Sequence, residues 1–89
     1  MKELILTTQF KKDLKRYRNK PSVLDELKIV LRYLAGGEDI PSKYRPHRLK
    51  GVFNLYMECH IQNDTLLLWR DENSQTIKLV RLGSHSEIF

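Results

Sequence analysis

The stretch Asn54-Leu-Tyr-Met-Glu-Cys-His-Ile61 decides the fold of this 89-residue chain, because its apolar and polar side chains alternate strictly. A period of two is typical of a β-strand that buries one face. The face predicted to enter the core holds Leu55, Met57, Cys59 and Ile61. The other face holds Asn54, Tyr56, Glu58 and His60. We therefore predict that the second face of this strand carries the functional groups.

A polar turn at Gln62-Asn63 predicts a hairpin that connects this strand to a second one. In the expected pairing Thr65 lies opposite His60, and Trp69 lies opposite Tyr56. Trp69 would then be an exposed aromatic side chain on the functional face. Exposed aromatic rings beside basic residues favour base stacking, so Trp69 is a candidate RNA-binding residue.

Two helices are predicted before this hairpin. Thr7 or Thr8 can cap the first helix, in which apolar residues recur at helical spacing from Phe10. Ser22-x-x-Asp25 predicts the start of the second helix, and Gly36-Gly37 predicts its end.

Further strands are predicted at Lys2–Leu6, around Leu49–Phe53 and at Thr76–Leu82. The resulting order β-α-α-β-β-β predicts a single α+β domain over residues 1–89. We expect an antiparallel sheet of about four strands, with two N-terminal helices packed on one face.

Basic residues outnumber acidic ones by 16 to 11, which gives a formal net charge of +5. Such a charge favours a polyanionic partner: nucleic acid, an acidic membrane surface or an acidic protein. The basic residues predicted to contact RNA lie in the first helix and in the loop that follows the second helix: Lys11, Lys12, Lys15, Lys43, Arg45, Arg48 and Lys50. For the helix, a solvated face is an equally good interpretation.

The single cysteine, Cys59, excludes an intramolecular disulfide and fits a reducing compartment. Its place in the alternation predicts a core residue rather than a nucleophile. The N-terminus does not read as a secretory signal, and no run approaches membrane-spanning length. We expect a cytoplasmic protein without a membrane partner.

Three histidines, His47, His60 and His85, are the main chemical signal. Together with nearby carboxylates and a cation they could cleave RNA without a metal. One group would take the proton of a 2′-hydroxyl, another would protonate the departing 5′-oxygen, and the cation would stabilise charge on phosphorus. The histidine spacings lack the close pairs of structural zinc sites, so we expect no metal and no cofactor.

Three segments, Pro46–Gly51, Glu58–Asp64 and Arg81–Phe89, resemble the YafQ family of toxins within the RelE/ParE superfamily. The order of predicted elements agrees, so the resemblance covers essentially the whole chain. It implies an mRNA endonuclease of a type II toxin–antitoxin module that cuts translated codons in the ribosomal A site. Its expected partners are mRNA on the ribosome, ribosomal RNA and a co-expressed acidic antitoxin.

Position by position, the resemblance implies a catalytic centre of His47, His60, Asp64 and His85. It implies an acidic catalytic position at Glu58, a phosphate-stabilising cation at Arg81 and a substrate-holding aromatic at Phe89. Two positions depart from the family pattern: Met57, where relatives often have Arg, and Thr65, where some have Trp. Trp69 could replace the latter. The working hypothesis takes His85 as proton donor and Glu58 or His60 as base.

In a regular strand Arg81 would lie on the same face as Ile77 and Leu79, which look like core residues. A β-bulge near the end of this strand would bring Arg81 to the functional face.

The rival interpretation is a non-catalytic RNA- or protein-binding module of the same fold, since a fold does not fix an activity. The histidine cluster favours the enzyme, because docking alone does not require it.

Overall fold

The computed structural model describes all 89 residues and has an α+β architecture with one five-stranded mixed sheet. In chain order the elements are β1 (Glu3–Leu6), α1 (Thr8–Arg16), α2 (Pro21–Gly36), β2 (His47–Arg48), β3 (Met57–Gln62), β4 (Thr65–Asn73), β5 (Thr76–Gly83) and α3 (His85–Ile88). Two 3-10 turns, Ser42–Tyr44 and Gly51–Phe53, flank β2. The predicted α+β fold is confirmed, with five strands where about four were expected.

The strand order across the sheet is β1-β5-β4-β3-β2. Strand β1 pairs with β5 in parallel, and the other three pairings are antiparallel. The sheet is therefore mixed, whereas an antiparallel sheet was predicted. The two helices return the chain past the sheet before β2 begins. No helix is both long enough and apolar enough to cross a membrane.

Local contacts and backbone conformations explain where α1 begins and where α2 begins and ends. The Thr7 hydroxyl accepts from the backbone N–H of Phe10 and donates to the carbonyl of Leu79 at 2.9 Å, so it caps α1 and ties it to β5. Helix α2 begins at Pro21 with no side-chain cap, so the predicted Ser22 cap is wrong. Proline fits the first helical position because its φ is already helical. Gly37, with φ +69°, ends α2 as predicted.

The core lies between the two long helices and one face of the sheet. Its fully buried members include Phe10 and Val30 from the helices, and Cys59, Leu67 and Leu79 from the strands. Burial, with a smaller contribution from the Glu58 charge, raises the pKa of Cys59 to about 12. A thiol with so high a pKa carries almost no thiolate, so the predicted structural role of Cys59 agrees with its position.

The register of the β3–β4 hairpin differs by one residue from the prediction. His60 pairs with Leu66 and Met57 pairs with Trp69, whereas Thr65 pairs with Gln62. A one-residue shift moves every side chain of a strand to the other face. Trp69 is therefore only 3% exposed and packs in the core beneath the helices. The predicted stacking of an RNA base on Trp69 is wrong.

The expected strand around Leu49–Phe53 is also wrong, since residues 51–53 form a 3-10 turn. Gly51 adopts φ +69° there, a conformation that favours glycine. Strand β2 lies just before it and pairs His47 with Glu58 and Arg48 with Met57. This short pairing sets the geometry of the candidate site.

A bulge interrupts β5 just before Arg81. Leu68 pairs with Arg81, but the next residue, Trp69, pairs with Leu79, so Val80 is the extra residue. Arg81 consequently lies on the face of Leu68, and Ile77 and Leu79 remain in the core. This bulge settles on which face Arg81 lies, which the sequence left open.

Candidate active site

Sheet register aligns three candidate residues in one row on the face opposite the helices. His47, Glu58, Leu68 and Arg81 are successive cross-strand partners from β2 to β5. His60 lies two residues beyond Glu58 on β3 and therefore projects from the same face. The rings of His47 and His60 are 6.4 Å apart, centroid to centroid. Pairing between β2 and β3 thus brings together three of the predicted catalytic residues.

His47 lies between two oxygen acceptors. Its Nε2 is 3.2 Å from Glu58 Oε1, and its Nδ1 is 2.8 Å from the carbonyl oxygen of Arg45. A neutral imidazole has only one N–H, so it can satisfy only one of these acceptors. An additional proton, carried by the ring or by the Glu58 carboxyl, completes both contacts. The His47–Glu58 pair therefore places an imidazole nitrogen and a carboxylate oxygen 3.2 Å apart, within hydrogen-bond distance.

Glu58 is 3% exposed, and its second carboxylate oxygen, Oε2, accepts no hydrogen bond within the protein. A buried acceptor without a donor is costly and calls for an explanation in a native structure. This oxygen lies on the row that also holds His47, beside His60.

A polar pocket of about 340 Å³ opens beside His60 at the outer edge of β3. The lining residues are Glu26, Lys43, Tyr44, Arg45, His60, Ile61, Gln62 and Asn63. Tyr44 donates to Glu26, and burial followed by this contact raises the pKa of Tyr44 to about 12. The predicted RNA-binding residues Lys43 and Arg45 thus lie together at a site that includes a candidate catalytic histidine.

Arg45 is the only non-glycine residue with positive φ, at +51°. This conformation is uncommon for a residue with a Cβ and costs about 1–3 kcal/mol. It turns the Arg45 carbonyl toward His47 Nδ1, so the backbone strain is linked directly to the orientation of the imidazole.

The aromatic rings of the C-terminal tail contact those of the turn before β3. The ring of Phe89 is 5.7 Å from His85 and 5.2 Å from Phe53, and Phe53 is 6.4 Å from Tyr56. Neither a hydrogen bond nor a ring contact joins His85 to His47 or His60. The sequence reasoning missed Phe53, which it assigned to a strand; its exposure became visible only once residues 51–53 formed a turn.

Helix α3 is anchored to α1 through Glu87. Ser84 and Glu87 form a reciprocal capping box, and Arg16 Nη1 lies 3.0 Å from Glu87 Oε2. The hydrogen bond from the Ser84 backbone N–H is the main reason why the pKa of Glu87 is lowered. These contacts fix the helix that carries His85 and Phe89.

Arg81 is engaged by a residue that the sequence reasoning missed. Its Nε lies 2.8 Å from Oδ2 of Asp13, which is 1% exposed. Burial alone would raise the pKa of Asp13, but hydrogen bonds from Arg81, from the Leu82 N–H and from Gln9 lower it below its usual value. The signal was present in the sequence, since Asp13 is the lone acid of α1, three residues after the buried Phe10.

The remaining predicted residues lie apart from the histidines. Asp64 is exposed in the β3–β4 turn and forms no ion pair or hydrogen bond with them. Arg48 donates to the carbonyl of Asn54 at 3.1 Å, and Lys50 is exposed. Lys11 and Lys15 line a groove between α1 and α2, whereas exposed Lys12 does not.

Comparison with protein families identifies this chain as a relative of known toxins. A family model described as "Bacterial toxin of type II toxin-antitoxin system, YafQ" matches residues 2–89. The mRNA interferase toxin YafQ of Escherichia coli K12 is 24% identical over 82 residues, which cover 91% of this chain and 88% of that protein. A putative toxin YafQ of Haemophilus influenzae is 31% identical over 85 residues, covering 89% and 83% respectively.

Solved structures agree with this relationship. A metal-bound toxin from Helicobacter pylori superposes with a TM-score of 0.88 at 38% identity, with all of both chains covered. The toxin chain of the E. coli DinJ–YafQ toxin–antitoxin complex has a TM-score of 0.85 at 22% identity, which supports the fold; 99% of this chain and 97% of that chain are covered.

In this chain no three His, Cys, Asp or Glu side chains are grouped so that they could hold a metal ion, and no step is assigned to one. The family predicted from the sequence motifs is confirmed along nearly the whole chain. The protein belongs to the YafQ family of bacterial toxins of type II toxin–antitoxin systems.

Proposed function

We propose that this chain is an endoribonuclease, the toxin of a type II toxin–antitoxin pair, and that it cuts mRNA while the message is being translated. The observation that carries the proposal is the His47–Glu58 pair beside His60, which supplies both proton donor and proton acceptor. The names of its relatives, which include mRNA interferase toxins, support the same activity.

The reaction is an internal transfer at phosphorus. The 2′-hydroxyl oxygen bonds to the adjacent phosphorus as the bond from phosphorus to the 5′-oxygen breaks. The proton of the 2′-hydroxyl passes to a general base, and a general acid delivers a proton to the departing 5′-oxygen. The products are a 2′,3′-cyclic phosphate and a free 5′-hydroxyl. No group other than the RNA and two proton carriers is needed.

The geometry favours a division of roles that differs from the working hypothesis. We assign the general acid to His47, whose Nε2 lies 3.2 Å from Glu58 Oε1 and whose Nδ1 lies 2.8 Å from the carbonyl oxygen of Arg45. His60 projects from the same face and takes the proton of the 2′-hydroxyl. The two imidazoles are separated by about the span of one phosphodiester, which suits positions on either side of the reacting phosphorus. His85 and Phe89 then hold the RNA from the tail helix.

The pocket beside His60 accommodates part of the same RNA. Lys43 and Arg45 supply positive charge for phosphate, while Gln62 and Asn63 supply amides that can donate to and accept from a base edge. Phosphate contacts position a nucleic acid and base contacts specify its sequence. The pocket therefore contributes both to the affinity for RNA and to the choice of codon, next to the reacting group. The net charge of +5 favours docking on ribosomal RNA.

The partner that silences the toxin is proposed to be an acidic antitoxin, in keeping with the toxin–antitoxin complex of the E. coli relative. A largely unfolded antitoxin that orders on binding would cover charged and apolar surface together.

The test is cleavage of a defined message with and without translating ribosomes, for the parent and for Glu58→Gln. We expect cuts only during translation, with cyclic phosphate and 5′-hydroxyl ends. Cutting should be unchanged in a chelator that binds transition metals but leaves the Mg²⁺ of the ribosome, which addresses the metal-bound H. pylori relative. Glu58→Gln should cut about 10²–10⁴-fold more slowly. Because its amide can donate to His47 but carries no transferable proton, the alkaline limb of the pH–rate profile, which reports the general acid, should also change.

A folded protein that binds ribosomes but leaves the message intact would instead favour the binding module. Loss of cutting in a chelator, with recovery on adding metal, would contradict the metal-independent mechanism.

A further inference from the structure

A separate pocket of about 380 Å³ opens beyond the C-terminal end of α2, on the helical face of the sheet. Its apolar floor is formed by Leu34 and Ile40, at and after the end of α2, and by Met57, Trp69 and Ile77 from β3, β4 and β5. Met57 is half-buried, and the other four are buried. Ligand sites in proteins commonly have this volume and a largely apolar lining.

The pocket is distinct from the candidate active site. Side chains alternate along β3, so Met57 projects from the face opposite Glu58 and His60. None of the candidate catalytic residues lines the pocket. A ligand bound here would therefore leave the catalytic face of the sheet uncovered.

Three carboxylates border the pocket, Glu38 and Asp39 from the loop after α2 and Asp71 from β4. All three are exposed, and none takes part in an ion pair. Lys2 is the only basic residue of the lining, and its amine forms no ion pair with them. The lining is therefore net negative, on a protein whose overall charge is +5.

The indole N–H of Trp69 is also without a partner. Trp69 is 3% exposed and lines the pocket, and its N–H donates to no acceptor within the protein. Glu58 Oε2 is the only fully buried side-chain nitrogen or oxygen that lacks a partner, so the indole N–H still reaches the pocket. Tryptophan N–H groups in protein interiors usually have an acceptor, so this donor calls for one on a bound molecule.

These features together select one class of ligand. The three carboxylates repel the phosphates of RNA, and they are not grouped closely enough to hold a metal ion. An arginine-like molecule fits the pocket. Its guanidinium forms paired hydrogen bonds with carboxylates, and its methylenes pack on apolar side chains such as Met57. A carbonyl or carboxylate oxygen at its other end accepts from the Trp69 N–H.

We propose that this pocket binds an alkylguanidinium cation that also carries an oxygen acceptor, which is the chemistry of arginine. Two sources offer this chemistry, the free amino acid and an arginine residue of another protein. They differ at the end that meets Trp69, because free arginine brings a charged carboxylate there and a residue in a chain brings a neutral carbonyl.

Trp69 is the only tryptophan of the chain, so its indole N–H resonance and its fluorescence both report on this pocket. N-acetylarginine amide represents an arginine residue in a protein, and free arginine represents the amino acid. N-acetylcitrulline amide is the matched control, because a neutral urea group replaces the guanidinium at nearly the same shape. Titration of the full-length protein with each compound measures binding.

We expect saturable binding of an arginine ligand with a Kd below about 1 mM, and at least tenfold weaker binding of the citrulline control. Tighter binding of N-acetylarginine amide than of free arginine assigns the pocket to a protein partner. The reverse order assigns it to the free amino acid.

Met57 allows the pocket to be filled from within the chain. It is one of the two positions that depart from the family pattern, and an arginine there would bring its own guanidinium to the carboxylates of the rim. Met57→Arg is expected to abolish binding of the ligand and to raise the melting temperature. Met57→Leu conserves volume and charge, so it should bind within threefold of the parent.

Two matched double variants test the charges of the rim. Asp39→Asn with Asp71→Asn removes two carboxylates that border the pocket, whereas Asp25→Asn with Asp64→Asn removes two exposed carboxylates elsewhere. We expect the first pair to weaken binding at least tenfold and the second pair less than threefold.

Four results would each overturn the assignment: no saturable change at Trp69 with either arginine ligand, equal binding of the citrulline control, equal loss in the two charge pairs, or undiminished binding by Met57→Arg. None of these measurements involves RNA cleavage. Failure of the pocket assignment and failure of the proposed endoribonuclease are therefore observed separately.

Discussion

Asp13 on α1 accepts a hydrogen bond from Arg81 Nε at 2.8 Å and another from the backbone N–H of Leu82 at 2.9 Å. Strand β1 pairs with β5 only as far as Leu79, so beyond that point the edge of β5 lacks a neighbouring strand. The carboxylate of Asp13 supplies the acceptor that a strand would have provided. Arg81 Nη2 also approaches the Glu87 carbonyl at 3.5 Å, which connects α1 to α3 through the end of β5.

Replacing Asp13 by Ala is expected to destabilise the fold strongly. It leaves the Arg81 guanidinium without its partner and the Leu82 N–H without an acceptor, and removing one member of a buried ion pair costs about 3–5 kcal/mol. Urea unfolding of parent and variant measures this loss. Asp25→Ala, an exposed acid on α2, is the matched control and should change the free energy of unfolding by less than about 0.5 kcal/mol. Equal effects of the two substitutions would contradict the role of Asp13.

The same carboxylate predicts a specific acid sensitivity. Its folded-state pKa lies below the ordinary value of 3.8, so its stabilisation is present above that pH and is lost as the pH falls through the folded pKa. The free energy of unfolding should therefore decline more steeply below about pH 4 in the parent than in Asp13→Asn. Parallel slopes for the two proteins would show that Asp13 titrates alike in both states.

The histidines are expected to carry catalysis rather than stability. His60→Ala or His85→Ala should abolish growth arrest on expression. Loss of a positioned acid or base such as His60 lowers rates by about 10²–10⁴, and loss of His85 removes a contact that holds the RNA. Both side chains are at least partly exposed, so the far-ultraviolet circular dichroism and melting temperature should stay close to those of the parent. A folded double variant that still arrests growth would remove these residues from the mechanism.

Deleting Ser86–Phe89 is expected to reduce cleavage strongly while lowering the stability of the fold only slightly. The truncation removes Phe89 and the Glu87 contacts, of which the half-exposed ion pair with Arg16 contributes only about 0–1 kcal/mol. The melting temperature should fall by roughly 4–8 °C per kcal/mol lost, while ribosome-dependent cleavage falls strongly. Global unfolding, or cutting at the parent rate, would show that the tail is not a separable catalytic element.

The pocket beside His60 is expected to influence codon choice through its amides. Gln62→Ala and Asn63→Ala should change the distribution of cut sites along a translated message, because base contacts specify sequence. Sequencing of the 5′-hydroxyl ends measures this distribution. Gln75→Ala, in the β4–β5 turn, is the matched amide control and should leave the distribution unchanged. An identical pattern for all three variants would exclude the pocket from base recognition.

The basic loop is expected to contribute affinity without codon choice. Lys43→Glu with Arg48→Glu should weaken ribosome binding and reduce its dependence on salt, since fewer counterions are released. The positions of the cuts should stay the same. Salt-independent binding by the parent would contradict a phosphate-facing loop.

Much of the fold follows from the sequence alone, because local patterns decided it. Alternation in β3, the Thr7 cap and the glycine at the end of α2 each depend on residues close together in the chain. The bulge in β5 did not follow from the sequence, which left the face of Arg81 open; only the pairing of β4 with β5 shows it. The motifs around His47, Glu58 and Arg81 were sufficient to identify the family.

Tertiary structure decided what depends on register and on contacts between distant elements. A turn displaced by one residue moved Trp69 from the functional face into the core, because side-chain direction alternates at every position of a strand. Pairing of β2 with β3 set His47 against Glu58, and packing of α1 on β5 set Asp13 against Arg81. No local pattern specifies these pairs, since the partners are 11 and 68 residues apart in the chain and meet only when burial of the core fixes the sheet and helices together.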